Sequence, residues 1–67
     1  MITIQKIENK RSVGENEAIN VELRGLSTDT KPTEISDKII DNGSVFVEID
    51  TGSIYFYDLE NEEWKVA

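Results

Sequence analysis

The chain contains no cysteine and no histidine. Disulfide staples, thiolate or imidazole metal sites, and Ser-His or Cys-His catalysis are therefore excluded. The missing cysteine fits a reducing cytoplasm. No apolar run approaches the length that spans a membrane. The opening Met1-Ile2-Thr3-Ile4 is too short for a signal segment and lacks its basic flank. A soluble intracellular chain with no membrane partner is expected. Positive charge is scarce at one end. Residues 1–40 hold seven acids and six bases, and residues 41–67 hold seven acids and only Lys65, so net charges of −1 and −6 sum to −7. Such a surface repels a phosphate backbone, and nucleic acid is not an expected partner. Acidic patches keep a small protein soluble or meet a basic protein.

Sixty-seven residues allow one domain. A chain of this size buries only about 60% of the surface its unfolded form exposes. Small domains usually lean on staples, metal or partners. Here no cofactor is implied, which leaves a homo-oligomer or docking on a larger protein.

Residues 2–8 are rich in β-branched side chains and suggest a strand, with Ile2 and Ile4 on one face and Ile7 on the other. Residues 9–17 are polar and contain Gly14, the composition of a long mobile hairpin connection. Residues 18–24 alternate, placing Ile19, Val21 and Leu23 inward and Asn20, Glu22 and Arg24 outward. The segment 26–33 is turn chemistry, and Pro32 removes a backbone donor. Thr33 can cap a short helix over 34–40, stacking Ile35 on Ile39 and stopping at Asp41-Asn42-Gly43, with packing left to decide it. A hairpin follows around Thr51-Gly52. A two-residue loop pairs Ile49 with Ile54 and Val47 with Phe56 on one face, and Phe46 with Tyr57 and Glu48 with Tyr55 on the other. A three-residue loop would instead shift that register by one. The run 59–63 turns the chain toward a last strand at Trp64-Lys65-Val66. The expected fold is mainly β: a small antiparallel sheet or partly open barrel of four to five strands, with one short helix or turn near 34–40. Residues 1–67 divide into an N-terminal hairpin (1–26), a connector (27–42), and a C-terminal hairpin with last strand (43–67).

Asp50-Thr51-Gly52 after Val47-Glu48-Ile49 resembles the aspartic-protease signature, in which two carboxylates share a proton across a dimer axis. Retropepsin-like subunits need a flap and a second hydrophobic-Gly segment with a helix, and only fifteen residues follow Gly52. A structural turn using Asp50, Thr51 and Gly52 for their backbone properties is the simpler reading, and no catalytic residue is assigned. The acidic patch Asp58, Glu60, Glu62 and Glu63 offers oxygen ligands, but it lacks the mid-loop glycine and ligand order of a calcium loop, so no metal is assigned. Phe46, Tyr55, Tyr57 and Trp64 form the candidate interaction surface, as a contact hot spot or a platform for sugar rings, beside their plainer role as core. Asn42-Gly43-Ser44 matches a glycosylation sequon, and without an export signal it reads as a turn.

Taken together, Leu23-Arg24-Gly25-Leu26-Ser27-Thr28-Asp29-Thr30-Lys31-Pro32-Thr33, Asn42-Gly43-Ser44, Phe46-Val47-Glu48-Ile49-Asp50-Thr51-Gly52, Tyr55-Phe56-Tyr57-Asp58, Asn61 and Trp64 resemble a group of small uncharacterised proteins. These are encoded by phages and prophages of Gram-positive bacteria. The resemblance covers residues 21–66. It implies a structural or assembly accessory, acting through protein–protein contacts with itself or other phage structural proteins, in the cytoplasm of an infected or lysogenic bacterium or in the virion. The group has no agreed activity or catalytic residue to carry over, and no enzymatic activity is expected of this chain. The alternatives are an acidic inhibitor of a basic site on a host protein, and a carbohydrate-binding module.

Overall fold

A computed structural model describes all 67 residues. They form seven strands and no helix: β1 (Thr3–Val13), β2 (Asn16–Gly25), β3 (Glu34–Ile35), β4 (Lys38–Ile40), β5 (Val45–Glu48), β6 (Ile54–Asp58) and β7 (Glu63–Val66). All belong to one sheet, ordered β3-β4-β2-β5-β6-β7 with β1 on the free edge of β2. The sheet curls into a half-barrel. A four-to-five-strand sheet with a helix is therefore incorrect.

The segment 34–40 is a tight hairpin rather than a helix. Ile35 pairs with Lys38 and Glu34 with Ile39 across Ser36-Asp37. Both turn residues have positive φ, 49° and 66°. That is the geometry whose twist matches flanking strands. Seven residues nucleate a helix poorly, whereas the strand alternative lets Ile40 bury completely against β2. The polar segment 9–17 is likewise strand rather than mobile connection. Val13 pairs with Asn16 across Gly14-Glu15, and Gly14 has φ +60°. β1 is the longest strand, at eleven residues, and its pairing with β2 is interrupted between Ile4 and Lys6 and between Glu8 and Arg11.

β2 is the spine. Its inward residues Ile19, Val21 and Leu23 are buried, as alternation predicts. Along one edge it pairs antiparallel with β1. Along the other it pairs parallel with β4, at Ala18↔Ile39 and Ile19↔Ile40, and then with β5, from Glu22↔Val45 to Gly25↔Glu48. Three steps on β2 between Ile19 and Glu22 match five between Ile40 and Val45, so two extra residues are accommodated there. The Ser44 hydroxyl fills the break by accepting the Val21 N–H at 3.1 Å. The Arg11 guanidinium spans β2 to reach Asp41, with Nε and Nη2 donating at 2.5 and 2.6 Å. Ala18, opposite Arg11 in register and fully buried, leaves room for that crossing.

The β5–β6 register also differs from both sequence expectations. Val45 pairs with Phe56, Phe46 with Tyr55 and Val47 with Ile54. Relative to the two-residue loop, this is a slip of two positions, which leaves every side chain on its expected face. The cause is a four-residue turn. The Glu48 N–H bonds the Ser53 carbonyl at 2.9 Å, and the Gly52 N–H bonds the Glu48 carbonyl at 2.8 Å.

Candidate functional site

The β5–β6 pair has two apolar faces, and the structure fully buries residues on only one of them. Phe46, Tyr55, Tyr57 and Trp64 point inward. Phe46 is fully buried, Tyr57 is 4% exposed, and Tyr55 and Trp64 are half-buried. Phe46 and Tyr57 meet the Trp64 ring edge-on, with centroids 5.9 and 4.9 Å away. Of the expected aromatic interaction surface, Phe46 and Tyr57 are core, and Tyr55 and Trp64 pack against it half-buried.

Segment 26–33 closes this face. Lys31 Nζ sits 4.9 Å from the Phe46 ring centroid and 4.3 Å from that of Tyr55. It donates to Glu48 Oε2 at 2.7 Å, while Thr51 Oγ1 donates to Glu48 Oε1 at 2.7 Å. Trp64 Nε1 donates to the Pro32 carbonyl at 2.8 Å. Further along, Asp29 accepts the Leu26 N–H and the N-terminal ammonium, and Asp50 accepts both the N–H and hydroxyl of Ser27. Gly25 fits beneath the segment because a Cβ there would lie 2.9 Å from Phe46 Cζ. No buried side-chain nitrogen or oxygen lacks a partner.

The carboxylates serve this architecture. Lys31 holds the Glu48 carboxyl below its ordinary range, helped by Thr51, and Arg11 does the same for Asp41. Asp50 is lowered by the Ser27 hydroxyl and N–H, Asp29 by the Leu26 N–H, and Asp58 by the Asn61 side chain. Asp50, Thr51 and Gly52 occupy the exposed β5–β6 turn. In the acidic patch, Asp58 bonds Asn61 and lies 3.7 Å from Lys65, while Glu60, Glu62 and Glu63 are exposed in or beside the β6–β7 turn. No group of three carboxylates comes close enough to hold a cation.

The outer face was not singled out by sequence reasoning. Val45 and Val47 on β5 stand beside Phe56 and Ile54 on β6. Phe56 is 47% exposed and Ile54 43%, with Ile49 in the adjoining turn at 64%. One line of the sheet runs Glu22–Val45–Phe56–Lys65 across four neighbouring strands. The pattern was available in the alternation, but the aromatics of the opposite face drew the assignment. A separate groove of about 360 Å³ lies where Lys6, Glu8, Asn20, Glu22 and Asn42 converge. It is polar, and Asn20 already donates to the Asn42 carbonyl.

No family model, no curated protein and no solved structure matches this chain.

Proposed function

We propose that the protein is a small structural or assembly accessory of phage origin that works by protein–protein contact and catalyses no reaction. The phage origin rests on the resemblance of residues 21–66. The contact reading rests on one observation: a continuous apolar strip on the outer face, with Ile54 and Phe56 exposed and Val45 and Val47 half-buried beside them. Isolated apolar residues on a surface mean little, but a contiguous group rimmed by charge marks a contact site. The carboxylates support a non-enzymatic role, because the five with shifted pKa values all shift downward under hydrogen bonds or cations. A general acid near neutral pH needs the opposite shift.

The test is the composition of purified phage particles from a lysogen carrying the gene. An accessory of the virion is present in stoichiometric amount, and Phe56→Ser reduces its incorporation while the isolated variant still folds. Absence from particles, together with salt-sensitive binding to one basic host protein, would favour the inhibitor reading instead, carried by the exposed Glu60, Glu62 and Glu63.

A further inference from the structure

We infer that the outer face packs against the same face of a second copy, with the two-fold axis running along the strands. This builds on the outer face as the contact surface and names its occupant. The basis is the charge order along one line of the sheet. Glu22 on β2 is level with Val45 on β5, which is level with Phe56 on β6 and Lys65 on β7. All four point outward, since their strand neighbours Val21, Phe46 and Tyr57 are buried and Trp64 packs against that core.

A two-fold axis between β5 and β6, parallel to the strands, reverses left and right and preserves level. It sets Val45 over Phe56 at the centre. Glu22 of each copy then faces Lys65 of the other, twice, at the rim. An axis perpendicular to the strands through that line sets Glu22 over Glu22 and Lys65 over Lys65, and like charges across an interface are strongly disfavoured; set midway to the next line, it puts Glu22 over Arg24 of the other copy and leaves Lys65 with no acid opposite. Only the axis along the strands gives both Glu22 and Lys65 an opposite charge, and the charge order favours it. Both rim groups have room to engage: the Glu22 side chain is 41% exposed and that of Lys65 57%. Within one chain they make only long pairs, Glu22 at 3.6 Å from Arg24 and Lys65 at 3.3 Å from Glu63 and 3.7 Å from Asp58. Two sheets so packed would lie roughly 10 Å apart. The strip is three strand spacings wide, roughly 15 Å. It falls short of the roughly 800 Å² per partner of a standard interface, so the dimer is weak and forms between micromolar and millimolar concentration.

Sedimentation velocity across that range, at physiological ionic strength, tests the geometry. Wild type is expected to self-associate to a dimer. Glu22→Lys and Lys65→Glu alone should each weaken it about tenfold or more, because like charges then meet twice. The double variant should restore it, and Phe56→Ser should abolish it. Circular dichroism melts check that each variant still folds. A wild type monomeric to millimolar concentration would overturn the inference, as would a double variant no better than the singles, or a dimer indifferent to Phe56→Ser. A monomer that still enters particles overturns the self-pairing alone. A dimer absent from particles overturns the virion role and leaves the pairing intact.

Discussion

The two faces of the β5–β6 pair are both apolar and both carry aromatic side chains, yet they lead opposite lives. Phe46 on the inner face is fully buried, while Phe56, one strand over on the outer face, is 47% exposed. Hydrophobicity does not distinguish them. What distinguishes them is the core that packs on the inner face, where Phe46 and Tyr57 meet Ile19, Val21, Leu23 and Ile40, together with a lid over it. The 26–33 segment reaches the inner face through polar anchors: Lys31 to Glu48, the Pro32 carbonyl to Trp64, and Ser27 to Asp50. Nothing equivalent crosses the outer face. The inner face is buried by the strands that pack there and by the connector hydrogen-bonded over it, and the face left over is the more exposed one.

The sharpest way to break that comparison is to truncate a phenylalanine on each face. Phe46→Ala is expected to cost about 3–5 kcal/mol, enough to unfold much of a domain of this size. Phe56→Ala is expected to cost less than about 1 kcal/mol. Urea denaturation of both variants, below the concentration at which copies associate, measures the difference. Equal losses would mean that the outer face is part of the core.

The next effect concerns the fit of the lid. Gly25→Ala places a Cβ within 2.9 Å of Phe46 Cζ, 3.0 Å of Asp29 Oδ2 and 3.2 Å of Ile2 Cγ1. Overpacking of this kind costs about 1–3 kcal/mol. The thermal midpoint of the variant should fall, and increased near-ultraviolet change at Trp64 should accompany it. An unchanged midpoint would show that the lid is looser than the geometry implies.

A smaller effect is pH dependence. Glu48 and Asp41 have folded pKa values below their ordinary ones, through Lys31 and Arg11 respectively. Such groups stabilise the fold above their unfolded pKa, and that stabilisation is lost as pH falls through the folded value. The thermal midpoint should therefore hold from neutrality down to about pH 4 and then decline. Lys31→Met should lower the plateau and make the acid decline shallower, because the Glu48 carboxyl loses its cation. A decline of unchanged steepness would place the acid sensitivity elsewhere.

Much of this was legible in the sequence. The alternation of Ile19, Val21 and Leu23 located the spine of the sheet, and the partition of 45–57 into two faces survived a register slip of two. The rest depended on contacts distant in sequence. Ile35 and Ile39 suit a helix face as well as the two arms of a hairpin, and only burial of Ile40 beside Ile19 separates the two. The parallel pairing of β2 with β5 has no local signature, because the residues it joins lie 23 apart. The aromatic face assigned as the contact surface is core because of a contact distant in sequence. Glu48 is the single charge among Phe46, Tyr55 and Tyr57. Lys31, seventeen residues away, neutralises it inside.

The most direct test is a concentration series of amide NMR spectra, from micromolar to millimolar protein. Shift changes should concentrate at Glu22, Val45, Val47, Ile54, Phe56 and Lys65, leaving Phe46, Tyr57 and Trp64 in place. Shifts centred on the open edge of β1, or none at any concentration, would contradict the outer face as the site of self-pairing.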